Sequence, residues 1–441
     1  MARPVRPVSI DLPRGLPAEG WLRLLAGEPG FVLFDRPDDA GRPASYLSFG
    51  PRPASPLEWR PPGLDGPSPA PFCGGWAGVL SYDLGRRFER MPSLALDEGW
   101  PEWAGGVYGF AVAVEEGGRR TRLAGAAADA GDEADLRRLA DGLAARAEGA
   151  LRGDLPDRVE GPALSGALRS NLDRDAHLAA VARTVEYIHA GDAFQVNLAR
   201  RVEGALRISP PEAALRLRAA NPAPRGAVAS LGGGRWVLSS SPELLIEARD
   251  GRAVSRPIKG TRPRTGDPAA DAAAREDLLA SEKDRAELAM IVDLVRNDLG
   301  RIAPWGSVRV ASARVLEEHP TVLHTVAEVE AALRPGTGPA EMLRAVFPGG
   351  SVTGAPKIRA MEIVEELEPV RRGPYTGSAG WFGWDGGAHL DILIRTLAVD
   401  RGRVHFGVGG GIVADSDPAA EWEETVVKGA ALARALGAGP A

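Results

Sequence analysis

The segment 377–413 constrains the fold more than any other part of the chain. Its apolar and β-branched runs are broken at Asp385-Gly386-Gly387 and again at Asp400-Arg401-Gly402, so it reads as a β-meander. Strands joined by tight turns pair antiparallel, whereas parallel neighbours need a long crossover. The helical patterns elsewhere do not alternate one for one with β-type runs. A doubly wound architecture is therefore disfavoured, and the chain reads as α+β.

Near the N-terminus, 31–34 and 46–49 are short β-type runs bounded by Pro, Asp and Gly. From about Gly125 to Gly166 the composition shifts to Ala, Gly, Arg and Glu, which predicts a helix inside 132–151 followed by an exposed linker. This divides the chain into an N-terminal lobe, 1–150, and a second domain, 168–437. In that second part Leu178, Val181, Val185 and Ile188 recur at helical spacing, with Gly191 as a stop. Phe194, Val196 and Leu198 alternate as in a strand, placing Gln195 and Asn197 on the opposite face. Leu288, Ile291, Val292, Val295 and Leu299 line a helix that Gly300 ends. Pro356 is expected at the first helical position before 358–367, and a last helix is expected to open at Asp417-Pro418 and run to Leu436.

With 441 residues the chain is long enough for two domains or one large two-lobed core. A net charge of -6 leaves no excess of cations for a phosphate backbone, so nucleic acid is not an expected partner. No apolar run approaches the roughly 20 residues of a membrane helix, and 1–17 contain no apolar signal-peptide core. The single cysteine, Cys73, excludes an intrachain disulfide and a cysteine-based zinc site, which fits a reducing cytoplasm.

Candidate chemistry is dispersed. Glu421, Glu424 and Lys428 fall at i, i+3 and i+7 of the last helix and share a face. Asp284 and Glu287 form a second i, i+3 acidic pair, with Glu287 at the edge of an apolar stripe. Each pair is readable as a solvated, ion-paired face or as oxygen ligands for a hard cation. The turn FPGGSVTGAPK, 347–357, has Gly349 and Gly354 at phosphate-loop spacing but lacks the Lys-Ser or Lys-Thr that follows in nucleotide sites. It is either a capped structural turn using Ser351 or Thr353, or a helix start that receives a carboxylate. GVGGG, 407–411, lacks dinucleotide-fold spacing and marks tight turns or close approach of backbone to a ligand. Lys259, between Ile258 and Gly260, is either solvated in a turn or desolvated and nucleophilic. His324 and Arg395 lie in β-like apolar runs, where a core-facing Arg demands a partner.

Taken together, these segments resemble the chorismate-utilising enzymes, and within them component I of aminodeoxychorismate synthase. The resemblance is carried by GDAFQVNLAR (191–200), SSSPELL (239–245), RPIKGTRPR (256–264), DRAELAMIVDLVRNDLGRI (284–302), FPGGSVTGAPKIRAMEIVEELEP (347–369) and EWEETVVKGAA (421–431). GGWAGVLSYDLGRRFE (74–89) matches in the N-terminal part. It implies an anthranilate-synthase-component-I-like, two-lobed fold of two packed β-sheets with helices outside. It further implies Mg2+ held by Glu287 and Glu424 with Asp284 and Glu421 in support. Lys428 and the backbone of Gly409, Gly410 and Gly411 would approach the ring carboxylate of chorismate. Arg395 and Tyr375 match contacts to the enolpyruvyl side chain, His324 and Ser351 match pocket-lining positions, and Glu243 resembles the general acid. Water-adding members carry a basic Lys where this chain has Gln195. Anthranilate synthases carry Ala where this chain has Lys259, and aminodeoxychorismate synthases carry Lys. The resemblance also implies a separate glutamine amidotransferase subunit that supplies ammonia. Where tryptophan-inhibited relatives have their regulatory motif, this chain reads VLFDRP (32–37) and departs from it.

Overall fold

The computed structural model describes residues 4–37, 41–155, 161–319 and 322–439. Its backbone is dominated by two antiparallel sheets. The first runs in the order Arg6–Asp11, Arg120–Ala127, Phe110–Glu115, Ala44–Ser48, Val32–Asp35, Arg225–Gly232, Arg235–Ser241, Thr396–Asp400, Arg403–Ile412, Gln195–Ala205 and Gly354–Ala355. The second runs Ile258–Pro263, Val322–Ala332, Arg252–Arg256, Leu244–Arg249, Ala388–Ile392, Ser378–Gly383, Gly75–Leu80, Trp103–Tyr108 and Arg52–Pro53. The helices among the described residues are α1 (Ala18–Leu25), α2 (Ala130–Arg152), α3 (Arg174–His189), α4 (Pro210–Ala220), α5 (Pro268–Ala280), α6 (Glu282–Gly300), α7 (Pro339–Val346), α8 (Lys357–Leu367) and α9 (Pro418–Ala435).

The sheets pack face to face because their strands alternate. Phe34, Tyr46, Ala113, Ala229 and Val237 of the first sheet face Ala77, Val79 and Trp381 of the second across one buried core, with the Trp381 ring 5.6 Å from Phe34 and 5.9 Å from Tyr46. The intervening residues Leu33, Leu47, Val112, Val228 and Leu238 point the other way, into a second core closed by α1, α2, α4 and α9. The α+β class and the packed-sheet arrangement with helices outside are those expected. The division at 150–168 does not separate sheets, since each contains strands from both sides of it. Part of the expected linker, 156–160, lies outside the described residues.

Three local expectations are corrected. The segment 377–413 forms four strands, but its first two belong to the second sheet and its last two to the first. Phe194 is 72% exposed, while Gln195, on the face expected to be polar, is buried. Pro356 is the capping residue of α8, in extended backbone, and the helix begins at Lys357. Neither Ser351 nor Thr353 caps it; the Thr353 hydroxyl donates back to the Gly349 carbonyl at 3.0 Å.

Candidate active site

A cleft forms where the two sheets come together at one end. The strand Arg403–Ile412, paired with Gln195–Ala205, supports α9, while Ile258–Pro263 supports α6. Gly411 marks the junction: a Cβ there would lie 2.0 Å from Gln195 Nε2 and 3.2 Å from Lys259 Nζ. Only a residue without a side chain lets those groups converge.

Lys259 sits in the strand Ile258–Pro263 with its side chain 12% exposed and its ammonium 3.9 Å from Glu287 Oε2. Burial holds its pKa below the ordinary lysine value, and Glu287 opposes that shift. Glu243 is buried beside the same strand. It accepts a hydrogen bond from the Ile258 amide at 3.4 Å and another from the Ser351 side chain. Burial nevertheless raises its pKa, which favours a protonated carboxyl.

The acids of α6 and α9 face one another. Burial raises both Glu287 and Glu421 above the usual carboxylate value. The Ser416 hydroxyl donates to Glu421 Oε1 at 2.7 Å. Burial alone would raise Glu424 as well, but Lys428, 2.6 Å away, together with Lys283 and Lys259 outweighs it and the net shift is downward. Lys283 lies between the helices, 4.0 Å from Glu287 Oε1 and 3.8 Å from Glu421 Oε1. A cation thus already stands among oxygens from both helices, and oxygen donors suit a hard divalent ion. Glu287, Glu421 and Glu424 fit that role in donor type, and Lys283 already bridges the first two. Asp284 is turned aside, with Oδ2 3.2 Å from Arg262. Among the described residues no three carboxylate, imidazole or thiol groups stand close enough to chelate an ion as placed. Ammonium groups occupy the gaps.

The glycines of 407–411 are explained by this crowding. A Cβ on Gly410 would come within 2.8 Å of Glu421 Oε2, and Lys428 Nζ donates to the Gly409 carbonyl at 2.9 Å. The Tyr375 ring covers Gly407, on the same strand face as Gly411.

Arg395 is not within a strand. It joins Ala388–Ile392 to Thr396–Asp400 with φ 50°, a conformation that non-glycine residues rarely adopt. Its guanidinium donates to His324 Nε2 at 3.3 Å, so His324 Nδ1 is the nitrogen that donates to Thr261 Oγ1 at 2.9 Å. Burial, reinforced by Arg395, lowers the His324 pKa to about 3 and keeps the ring neutral. Among the described residues Arg395 forms no salt bridge, and the carboxylate that acts on it, from beyond contact distance, is Glu243. A buried cation without an acid in contact is suited to an anionic ligand.

Two participants were not singled out in the sequence. Lys283 precedes Glu287 by four residues, the helical ion-pair spacing, so a signal was present. Thr261 had none. Gln195 enters the cleft with neither amide atom partnered among the described residues, and no local pattern could have shown that.

Residues 52–434 match the family model described as chorismate binding enzyme. The chain is 44% identical over 359 residues to aminodeoxychorismate synthase component 1 of Klebsiella aerogenes, covering 81% of this chain and 76% of that protein. It is 42% identical over 433 residues to anthranilate synthase component 1 of Streptomyces coelicolor, covering 93% and 84%. The solved structure of anthranilate synthase component I from Streptococcus pneumoniae superposes with a TM-score of 0.74 at 26% identity, covering 98% of this chain and 93% of that one. The chain belongs to the family of chorismate-binding, chorismate-utilising enzymes.

Proposed function

We propose that this protein is component I of an aminodeoxychorismate synthase, replacing the ring hydroxyl of chorismate with an amino group to give 4-amino-4-deoxychorismate. The observation that carries the reading is Lys259, an amine held in the cleft beside Glu287 with its pKa lowered by burial. Burial leaves a larger neutral, nucleophilic fraction of this amine.

In the proposed sequence, the neutral Lys259 amine attacks the ring carbon next to the carboxylate-bearing carbon. The two conjugated ring double bonds each shift by one position, and the hydroxyl leaves with the proton of Glu243 as water. Ammonia then attacks the carbon that lost the hydroxyl, both double bonds shift back, and Lys259 departs as an amine. The ammonium formed gives up a proton, which restores Glu243. Two displacements replace one difficult substitution. Arg395 and Tyr375 position the enolpyruvyl group, with His324 and Ser351 lining the pocket. Lys428 and the 409–411 backbone face the ring carboxylate. Glu287, Glu421 and Glu424 would hold Mg2+, which supplies charge neutralisation at that carboxylate when bound. Asp284, paired with Arg262, supports α6 instead. Ammonia is supplied by a partner glutamine amidotransferase subunit, and the expected setting remains the cytoplasm.

A second reading, anthranilate synthase component I, is favoured by the 42% identity and 93% coverage shared with the Streptomyces coelicolor protein. Lys259 opposes it, because the resembling segment of those enzymes carries Ala. Gln195 in place of a basic lysine opposes a water-adding reaction. Incubating the protein with chorismate, magnesium and ammonium separates the readings. Aminodeoxychorismate, converted to p-aminobenzoate when a lyase is added, is the expected product. Anthranilate with release of pyruvate would overturn the first reading in favour of the second.

A further inference from the structure

Three lysine ammoniums stand among the acids of the cleft, and they are not equivalent. Lys259 is enclosed, its side chain 12% exposed. Lys428 is fixed at two points, Glu424 Oε1 at 2.6 Å and the Gly409 carbonyl at 2.9 Å. Lys283 is 57% exposed and meets its acids only at 4.0 and 3.8 Å, ion-pair rather than hydrogen-bond distances. It also reaches from its own helix, α6, to Glu421 on α9.

The position of Lys283 is itself informative. It lies in the first turn of α6, two residues after the capping Ser281. The positive end of a helix disfavours a cation there, so the acids it faces must offset that cost. Glu287 and Glu421 are 13% and 5% exposed, and two such carboxylates facing each other across a gap repel unless a cation stands between them.

We propose that Lys283 is the resident counter-ion of the divalent site. Without metal, its ammonium neutralises Glu287 and Glu421 across the α6–α9 gap, and a divalent ion binds by displacing it into solvent. This rests on the assignment of Mg2+ to Glu287, Glu421 and Glu424. A magnesium ion brings twice the charge and takes oxygen ligands at about 2.0–2.1 Å. It therefore draws the two carboxylates closer than an ammonium can, and the two cations repel one another. Lys283 is the one that yields, because its flexible stem opens to water and no contact of hydrogen-bond length holds it, whereas Lys259 is enclosed and Lys428, itself 45% exposed, is tied at two points. A monovalent cation offers no charge advantage over the ammonium and does not displace it. Lys283 thus makes the site selective for divalent charge and lowers its affinity, since part of the binding energy goes into expelling it.

The test is direct metal titration of the full chain, using Mg2+ by calorimetry and Mn2+ by electron paramagnetic resonance. Lys283→Met is expected to bind both ions about three- to tenfold more tightly, the worth of one or two partly exposed ion pairs. Lys283→Arg should return the affinity toward wild type. The metal-free Met variant should melt at a lower temperature than metal-free wild type, with the difference vanishing at saturating metal. In wild type, acetylation of Lys283 read by peptide mass spectrometry should accelerate when Mg2+ is added. Unchanged or weaker binding by the Met variant, or acetylation indifferent to Mg2+, overturns the proposal while leaving the metal assignment intact. Absence of saturable binding in wild type, or binding that survives the combined Glu287→Gln and Glu424→Gln changes, overturns the metal assignment and this inference with it.

Discussion

Burial acts in opposite directions on the two reacting groups, lowering the pKa of Lys259 and raising that of Glu243. The lysine works as the neutral amine and gains function as pH rises through its pKa. The carboxylic acid works protonated and loses function as pH rises through its own. The two shifts narrow the ordinary gap between lysine and glutamate, so a bell-shaped dependence of kcat/KM on pH is expected in the aminating reaction. Lys259→Ala and Glu243→Gln should each remove one limb, and Glu243→Gln should lower kcat by about 10²–10⁴-fold. A profile that keeps both limbs in the Gln variant would exclude Glu243 as the general acid. The metal role of Glu287 makes a separate claim. Glu287→Gln should raise the magnesium concentration needed for half-maximal rate by about tenfold or more; an unchanged requirement would remove Glu287 from the ligand set.

At the scale of elements, the cleft depends on close approach of one strand and on the correct start of one helix. Gly411→Ala would drive a methyl into the space of Gln195 Nε2, 2.0 Å away, and against the Lys259 ammonium. Both atoms are the ends of flexible side chains, which can swing aside at little cost to the fold but only by leaving their places in the cleft. The expected result is a folded variant with strongly reduced turnover and a nearly unchanged melting temperature; wild-type turnover would show that the crowding is not functional. α9 is started by Asp417, whose carboxylate accepts from the Ala420 amide at 2.8 Å. Asp417→Ala should cost about 1 kcal/mol in denaturant unfolding. Because Glu421 lies in the first turn of that helix, metal affinity should weaken as well. Stability loss with unaltered metal binding would mean that the acids do not depend on this cap.

For the whole molecule, the buried histidines couple stability to pH. Burial is the leading cause that lowers His177 to about 4, His324 to about 3 and His405 to about 4. Unfolded histidine has the ordinary value of 6.5. Below that pH the unfolded chain takes up protons that the folded chain refuses, so this contribution to stability is lost as pH falls from about 6.5 toward the folded values. The raised carboxyls of Glu243, Glu287 and Glu421 act in the opposite sense, so a single substitution isolates the histidine effect best. His177, packed edge-on against Trp422 with neither ring nitrogen hydrogen-bonded among the described residues, is suited to that. Between pH 7 and pH 5, wild type should lose about 2 kcal/mol more than His177→Phe does. Parallel losses in the two proteins would refute a neutral buried imidazole.

The sequence by itself determined what local pattern and local chemistry can encode. Apolar spacing placed α6, Asp417-Pro418 placed the start of α9, and the i, i+3 acids placed two pairs of carboxylates on helix faces. The order and content of the family segments carried the fold class. The tertiary structure decided what depends on residues far apart along the chain. It moved the path from one sheet to the other at Arg395, set Gln195 unpartnered in the cleft, turned Asp284 toward Arg262, and drew Lys283 to Glu421. Helical spacing and capping are fixed by neighbours within a few residues. Burial, pKa and ion pairing depend on which distant surfaces come into contact, and that is set by the packing of the two sheets.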